Sequence, residues 1–242
     1  MQQIFVNQNV QIDTETVITG EDVRHLNKVL RMQPGEILRI STHEGDNYLG
    51  EITAIDDTQV VLHIIEEVPS TELKQRIYLF QAIPKGDRME TVIEKAVELG
   101  VYEIIPVEMK YCVVKLDDKK KKKRIERYQT IAETAAKQSK RSIIPTVHDV
   151  MTYKEAVEYA RNCDVNLVPY ECKEGMAATT AAMAKVTDAD SISIIIGPEG
   201  GFADEEIDMV SDMDIISLGK RILRTDTAAI AATTMVMLAC ED

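Results

Sequence analysis

The first seventy residues carry a hydrophobic pattern that predicts a small β-rich domain. Three runs, "GEILRIS", "YLGEITAI" and "QVVLHIIEEV", are typical of strands, and the turn-forming sequences "THEGDN" and "DDT" separate them. Before them, apolar side chains between Val23 and Leu30 recur at the spacing of one helical face. A closed or half-closed barrel would remove the exposed strand edges. Pro69 and Ser70 interrupt the pattern, so we predict a domain boundary there.

After residue 73 the pattern changes to strands that alternate with helices. "RIYLFQAI" is typical of a strand, and "DRMETVIEKAVELG" has apolar residues at helical spacing, with Gly100 as its stop. A long polar helix is expected from about residue 118 to residue 139. "VNLVPY", "SISIIIG" and "DIISLG" are further short apolar runs. The alternation predicts an α/β layer with a mostly parallel sheet, which binds ligands in loops at the carboxyl ends of its strands.

The distribution of charge along the chain adds information that the total charge does not give. The 242 residues carry a formal net charge of −13, which alone predicts no affinity for nucleic acid. From Lys110 to Arg141, however, twelve lysines and arginines stand against four acidic residues. The chain therefore contains one strongly basic stretch that its average conceals.

The four cysteines, Cys112, Cys163, Cys172 and Cys240, form no C-x-x-C pair. This usage fits a reducing cytosol and predicts neither a metal site nor a disulfide framework. The N-terminus has no basic and apolar pattern of a signal peptide, and no run of about twenty apolar residues occurs. We therefore expect a cytoplasmic protein without a membrane span or a bound metal.

The segment "SISIIIGPEGGFADEEIDMV" predicts a ligand-binding loop at the end of a buried strand. Gly197, Gly200 and Gly201 allow close approach of the backbone to a ligand. The loop lacks both the G-x-x-x-x-G-K-[ST] and the G-x-G-x-x-G phosphate-binding patterns, and the acids at 204–206 would repel a phosphate. A neutral or cationic ligand fits this composition. The alternative is a tight strand-to-helix turn that binds nothing.

A second segment, "SLGKRILRTDTAAIAA", strengthens the ligand hypothesis. Gly219 again follows a strand, and Lys220, Arg221 and Arg224 place positive charge beside it. Thr225 could cap the following helix, or Thr225 and the next residue, an aspartate, could face a substrate. The helix is apolar nearly all round, which predicts burial in the core or against another subunit.

At these residues the chain resembles a known family. "IGPEGGF" and "LGKRILRTDTA" are similar to the paired signatures of SPOUT methyltransferases, and within that group to the RsmE family, which methylates N3 of a uridine in 16S ribosomal RNA. "HLNKVLRMQPGE", "KGDRMETVIEKAVELGV" and "AAKQSKRSIIP" also resemble family blocks, so the resemblance spans nearly the whole chain. Three positions depart from the family pattern: Gln3 stands in place of an arginine, and Lys137 and Asp226 in place of glutamates.

The resemblance implies the architecture and the partners. Residues 1–70 would form an RNA-binding PUA-like β-barrel, and residues 73–242 a SPOUT α/β domain with a deep trefoil knot. It also implies a homodimer through the C-terminal domain, S-adenosylmethionine as cofactor, and 16S rRNA or the small ribosomal subunit as substrate.

Within this framework we assign roles to individual residues. Arg224 would stabilise negative charge on the uracil oxygens, and Glu199 or Asp226 would take the N3 proton. A structural salt bridge is the alternative for Arg224. The main chain at eight positions would hold the cofactor: Leu167, Ile196, Gly197, Gly200, Gly201, Leu218, Gly219 and Leu223.

Basic residues in several segments are expected to contact RNA phosphates. They are Arg24, Lys28, Arg31, Lys85, Arg88, Lys137, Lys140 and Arg141. The run "KKKKKR" at 119–124 is more typical of a solvated helix face. Tyr170 or Phe202 could stack on a base, although core packing is the simpler role for Phe202.

Three other functions compete with this interpretation. A SPOUT methyltransferase that acts on tRNA or on a ribose hydroxyl would lack the N-terminal barrel block. An RNA-binding adapter without catalysis would not need Gly197, Gly200, Gly219 and Arg224 together. A small-molecule α/β enzyme would need neither the barrel nor the basic stretch.

Overall fold

The computed structural model describes residues 1–114, 117–171 and 175–241, so Cys172 lies outside the described residues. The chain divides into two compact units. One comprises Met1–Glu72 with Ala136–Ile144, and the other comprises Leu73–Ala135 with Pro145–Asp242. The predicted division at residues 70 to 73 stays a prediction; Ala136–Ile144, which lies within the predicted second domain, groups with the N-terminal residues.

The N-terminal unit is built on a five-stranded sheet with the order β1-β3-β4-β5-β2. Its strands are β1 (Gln2–Val6), β2 (Glu15–Thr19), β3 (Ile37–Thr42), β4 (Asn47–Ile55) and β5 (Gln59–Glu67). Neighbouring strands are antiparallel except β1 and β3. The three predicted strands are confirmed as β3, β4 and β5. Strand β2 was not predicted from sequence. One of its two core positions is occupied by the polar residue Thr16 and the other by Ile18, so the strand lacks a clear alternation of apolar and polar residues.

The sheet buries its apolar side chains on one core that includes Ile4, Leu38 and Leu62. A Cβ atom at Gly50 in β4 would lie 2.7 Å from Cδ1 of Ile40, so a larger residue there would displace this core side chain. The register between β4 and β5 also shifts at this glycine. Such an irregularity increases strand twist and bends the sheet.

The predicted first helix exists but is not a regular α-helix. Helix α1 (Glu21–Arg24) continues as a π-helical turn (His25–Val29). Val23 and Leu26 enter the core as predicted, whereas Val29 is 64% exposed. The wider π turn rotates the later side chains away from the face that a 3.6-residue period predicts.

Gln3 is part of a buried hydrogen-bond network in the N-terminal unit. Its Nε2 donates to Oγ of Ser41 at 3.1 Å and to the carbonyl of Arg141 at 2.6 Å. Asn47 accepts from Ser41 and donates to Oγ of Ser142 at 2.8 Å. The network attaches the segment around residue 141 to the sheet.

Arg141 itself is only 3% exposed. Its Nε lies 2.8 and 2.9 Å from the two carboxylate oxygens of Glu72. The amide of Ser142 donates to the same carboxylate at 2.7 Å. This burial argues against the RNA contact that we predict for Arg141 from sequence, because a guanidinium enclosed by protein cannot reach a phosphate.

The C-terminal unit contains a parallel sheet of seven strands, as the α/β pattern predicts. The order is β12-β10-β11-β6-β7-β8, and β9 also pairs with β7. The strands are β6 (Arg76–Ala82), β7 (Glu103–Glu108), β8 (Thr146–Val147), β9 (Met151–Thr152), β10 (Val165–Pro169), β11 (Ser191–Ile196) and β12 (Asp214–Ile216). The trefoil knot stays a prediction.

Six helices connect and cover these strands in the described residues. They are α2 (Arg88–Glu98), α3 (Asp118–Ser139), α4 (Tyr153–Ala160), α5 (Ala177–Val186), α6 (Asp204–Met209) and α7 (Thr225–Cys240). Helix α7 packs against α2, β6 and β11 through buried residues that include Ala229, Ala232 and Val236. Leu238 on the same helix is 66% exposed, so only one side of this apolar helix is buried within the chain.

Two further properties concern the described residues as a whole. None of their helices combines the length and apolar character that crossing a membrane requires. They also contain no group of three or more histidine, cysteine, aspartate or glutamate side chains that could hold a metal ion.

Replacing Arg141 with alanine should destabilise the protein strongly. The change leaves Glu72 enclosed without its cation, and breaking a buried ion pair in this way costs about 3–5 kcal/mol. Urea unfolding followed by circular dichroism measures this loss. Lys28→Ala is the matched control because its ion pair with Asp57 is exposed, and we expect a change below about 1 kcal/mol. Equal stability of Arg141→Ala and wild type would contradict a structural role for this arginine.

Candidate active site

The loops that follow β10, β11 and β12 enclose a cavity of about 280 Å³. These strands are adjacent and parallel, so their carboxyl ends meet at one edge of the sheet. The start of α7 closes the remaining side, where Thr225 and Ala228 line the cavity. The cavity therefore lies where open parallel sheets place their ligand sites.

Six of the eight residues predicted to hold a cofactor line this cavity: Ile196, Gly197, Gly201, Leu218, Gly219 and Leu223. The other two do not. Leu167 is fully buried within β10, between β11 and β12. Gly200 faces the neighbouring loop, where an added Cβ would lie 2.7 Å from Cβ of Tyr111. This glycine permits close loop packing rather than close approach to a ligand.

Glycine is required at two cavity positions for different reasons. A Cβ at Gly197 would lie 2.8 Å from Cε2 of Phe202, so only hydrogen fits between the backbone and the ring. Gly219 has φ +103°, a backbone conformation that L side chains rarely adopt. The Phe202 ring packs edge-on against Tyr170 at 5.9 Å, and both rings form part of the cavity wall.

Four charged side chains line the cavity: Glu171, Glu199, Arg221 and Arg224. Arg224 is exposed and stands at the N-cap position of α7. Within residues 1–114, 117–171 and 175–241, no carboxylate forms an ion pair with Arg224. The salt bridge that we considered as its alternative role is therefore not present in the described part of the chain.

Glu199 is held in place at the rim of the cavity. Its Oε1 accepts hydrogen bonds from the backbone amide of Lys85 at 3.0 Å and from Nη1 of Arg88 at 2.8 Å. Both donors bind the same oxygen. Lys85 and Arg88, which we predict from sequence to contact RNA, thus also orient the Glu199 carboxylate.

Asp226 is the second residue of α7 and does not line the cavity. Its Oδ1 is buried and has no hydrogen-bond partner among the described residues. The structure thus separates the two carboxylates that we considered for proton transfer, and only Glu199 reaches the cavity.

The acids after the glycine loop turn away from the cavity. Glu206 is 5% exposed and accepts from the amides of Lys110 at 2.8 Å and Ala203 at 2.9 Å. Nζ of Lys110 lies 2.6 Å from Oε1 of Glu205, a contact that raises the pKa of Lys110 and lowers the pKa of Glu205. Glu205 and Glu206 thus connect the start of α6 to the loop after β7, and neither side chain lines the cavity.

Two polar residues near the cavity were missed or assigned differently from sequence. Gln81 is fully buried near the end of β6 and donates to Oγ1 of Thr225 at 2.9 Å. Thr225 does not cap α7, because its hydroxyl donates to the carbonyl of Gly197 at 2.8 Å. The signal for Gln81 was present in "RIYLFQAI", where one amide interrupts an otherwise buried strand end.

The remaining basic residues predicted to contact RNA lie in the N-terminal unit. Arg24, Lys28 and Arg31 are exposed, and Lys28 lies 3.3 Å from Asp57. Lys137 and Lys140 are half-buried. Nζ of Lys137 lies 3.2 Å from Oδ1 of Asp22, and Nζ of Lys140 donates to the Lys137 carbonyl at 3.2 Å. The exposed helix therefore offers the more accessible positive charge.

A parallel sheet with a glycine-backed cavity at its carboxyl edge defines an α/β ligand-binding domain, here preceded by a small β-rich unit. Residues 71–237 match the model of an RNA methyltransferase domain, and residues 18–65 match that of an RNA methyltransferase PUA domain. The chain belongs to the ribosomal RNA small subunit methyltransferase E family.

Individual relatives agree with this assignment over nearly the full length. The chain is 34% identical to ribosomal RNA small subunit methyltransferase E of Bacillus subtilis, over 98% of this chain and 96% of the relative. It is 32% identical to the enzyme of the same name from Mesomycoplasma hyopneumoniae, over 97% and 98% of the two chains. The crystal structure of a Neisseria gonorrhoeae ribosomal RNA small subunit methyltransferase E bound to S-adenosyl methionine superposes with a TM-score of 0.85 at 29% identity, covering 98% and 97%.

Proposed function

We propose that this protein transfers a methyl group from S-adenosylmethionine to N3 of a uridine in 16S ribosomal RNA of the small subunit. The observation that carries the proposal is the cavity itself. Backbone at Gly197 and Gly219 forms one wall, and an arginine without an ion-pair partner in the described chain stands at another. The family to which the chain belongs supports the same chemistry.

The cavity residues suit S-adenosylmethionine. The cofactor, when bound, supplies a methyl group on a positively charged sulfur. Main-chain groups at Ile196, Leu218 and Leu223 would hold its adenine edge, as amides and carbonyls can at strand ends. The carboxylates of Glu171 and Glu199 lie in the same cavity as Arg221 and Arg224, so a cationic sulfur would meet carboxylates as well as guanidinium groups there.

The acceptor atom determines the other requirements. Uracil N3 lies on the Watson–Crick edge and carries a proton, so the base must be unpaired and the proton must leave. Arg224 would place its guanidinium against the uracil oxygens, where negative charge develops. Glu199 is the better placed of the two proposed bases, since it lines the cavity and its Oε2 accepts no hydrogen bond from the described residues.

RNA would bind along the N-terminal unit through phosphate contacts. Arg24, Lys28 and Arg31 are exposed on or directly after the first helix, within the region that matches the RNA methyltransferase PUA model. Homodimer formation through the C-terminal unit would cover the exposed side of α7. The 66% exposure of Leu238 on this apolar helix supports such an interface.

Mapping of modified nucleosides tests the proposed reaction directly. Small ribosomal subunits from a strain that lacks the protein should gain one methyl group at uridine N3 when incubated with the purified protein and labelled S-adenosylmethionine. Mass spectrometry of nuclease fragments locates the methyl group. A methyl group on tRNA or on a ribose hydroxyl would support one of the rival functions, and cofactor binding without transfer would support the adapter.

Arg224→Ala should reduce methyl transfer by about 100- to 1,000-fold, because it removes a donor that acts on developing charge. Cofactor affinity, measured by calorimetry, should change little. Lys220→Ala removes a neighbouring exposed charge that does not line the cavity and should retain activity. Wild-type turnover of Arg224→Ala would remove this arginine from the mechanism.

Replacing Arg24, Lys28 and Arg31 together with glutamine should weaken RNA binding and flatten its salt dependence. Each lost phosphate contact reduces the slope of log K against log salt by about 0.7–0.9. Filter binding at several salt concentrations measures the slope. The comparison variant replaces Lys119, Lys122 and Lys123, which lie on exposed positions of the lysine run. A larger loss in that variant would place the RNA on α3.

A further inference from the structure

Gln81 is an unusual residue for its position. It is the penultimate residue of β6, is fully buried, and lies in register with Ile196 of β11. Its Oε1 is buried without a hydrogen-bond partner among the described residues, which is costly, so the amide is held through its nitrogen alone. The Nε2 atom of Gln81 has two acceptors: the carbonyl of Ala82 at 2.9 Å and Oγ1 of Thr225 at 2.9 Å.

The direction of this hydrogen-bond chain is fixed by its ends. The carbonyls of Ala82 and Gly197 can only accept. Thr225 must therefore donate its hydroxyl hydrogen to Gly197 at 2.8 Å, and Gln81 must supply both amide hydrogens. A reversed amide would turn Oε1 toward the Ala82 carbonyl and leave two acceptors facing each other. The side chains thus form a one-way chain from Gln81 through Thr225 to Gly197.

This chain joins two loops that line the cavity. Gly197 begins the loop after β11, and Thr225 is the first residue of α7, directly after Arg224. The hydroxyl that could have capped α7 instead fixes the distance between the helix start and the end of β11. The hydroxyl of Thr225 therefore provides a direct hydrogen bond that helps to set the position of the Arg224 backbone relative to Gly197, in addition to the packing of α7 on β11 and β6.

We infer that Gln81 and Thr225 are positioning residues, which hold Arg224 at a defined position relative to the part of the cavity wall formed by Gly197. The effect on catalysis that we expect from this inference rests on the proposed function. Neither residue touches the reacting atoms in this assignment. Loss of the chain therefore moves the arginine while all charged side chains of the cavity lining are kept, and a displacement of about 1 Å can reduce turnover 100-fold.

Thr225→Val and Thr225→Ser distinguish the loss of the hydrogen bond to Gly197 from a change in side-chain packing. Valine keeps the shape and removes the donor, so we expect kcat to fall about 10- to 100-fold with the KM for RNA nearly unchanged. Serine keeps the hydroxyl and should restore most of the loss. Gln81→Glu provides an independent test, because a carboxylate cannot donate to Thr225. Thr227→Val, at an exposed threonine of the same helix, is the control and should behave like wild type.

Hydrogen–deuterium exchange of the protein without added cofactor gives a readout that does not depend on activity. Thr225→Val should raise amide exchange in the segments 197–202 and 217–224, while Thr225→Ser and Thr227→Val should not. Unchanged exchange in Thr225→Val, or equal losses of kcat in the valine and serine variants, overturns the inference. If wild type transfers no methyl group, the proposed function fails, and the exchange pattern alone then supports or overturns the positioning chain.

Discussion

The parallel arrangement of β6, β10, β11 and β12 is the constraint on which the site depends. Parallel neighbours bring all their carboxyl ends to one edge, so loops that are 20 to 30 residues apart in sequence become walls of one cavity. At Gly197 and Gly219 no side chain stands between the main chain and the cavity, whereas the rings of Tyr170 and Phe202 form other parts of its wall. An antiparallel sheet of the same strands would distribute these loops over two edges.

Ionic contacts in the two units serve different purposes. In the N-terminal unit, Arg141 and Glu72 form a buried pair that also binds the amide of Ser142, so charge there holds the segment Ala136–Ile144 in place. In the C-terminal unit, Glu199 uses one carboxylate oxygen for Arg88 and the Lys85 amide. Net charge alone is a poor guide to RNA binding, because the sum of −13 conceals the basic stretch from Lys110 to Arg141.

Sequence patterns predicted the sheet and most of the cavity but not the details of either. The parallel α/β core followed from its alternating runs, and the glycine loops that border the cavity followed from glycines at strand ends, because both signals are local. The individual cofactor residues were assigned with the help of the family resemblance. The roles predicted for Gly200 and Arg141 stay predictions, but each residue contacts a neighbour that is distant in sequence, Tyr111 and Glu72 respectively, and no local pattern indicates these contacts. The hydrogen bond between Thr225 and Gly197 spans 28 positions, and no local pattern distinguishes it from a helix cap.

Among the described residues, two arginines and two glutamates line the cavity, and how firmly each side chain is held decides what it can do. Glu199 is held by two donors, which keep its carboxylate at one position on the rim. Arg224 has no carboxylate partner in the described chain and can direct its donors toward a ligand. A guanidinium already paired with an acid would have to lose that partner before it could stabilise a developing anion. The backbone of Arg224 is nevertheless fixed through Thr225, so a freely directed side chain extends from a restrained main chain. Transition-state stabilisation requires this combination, because the donors must be available and their position must be set before the reaction begins.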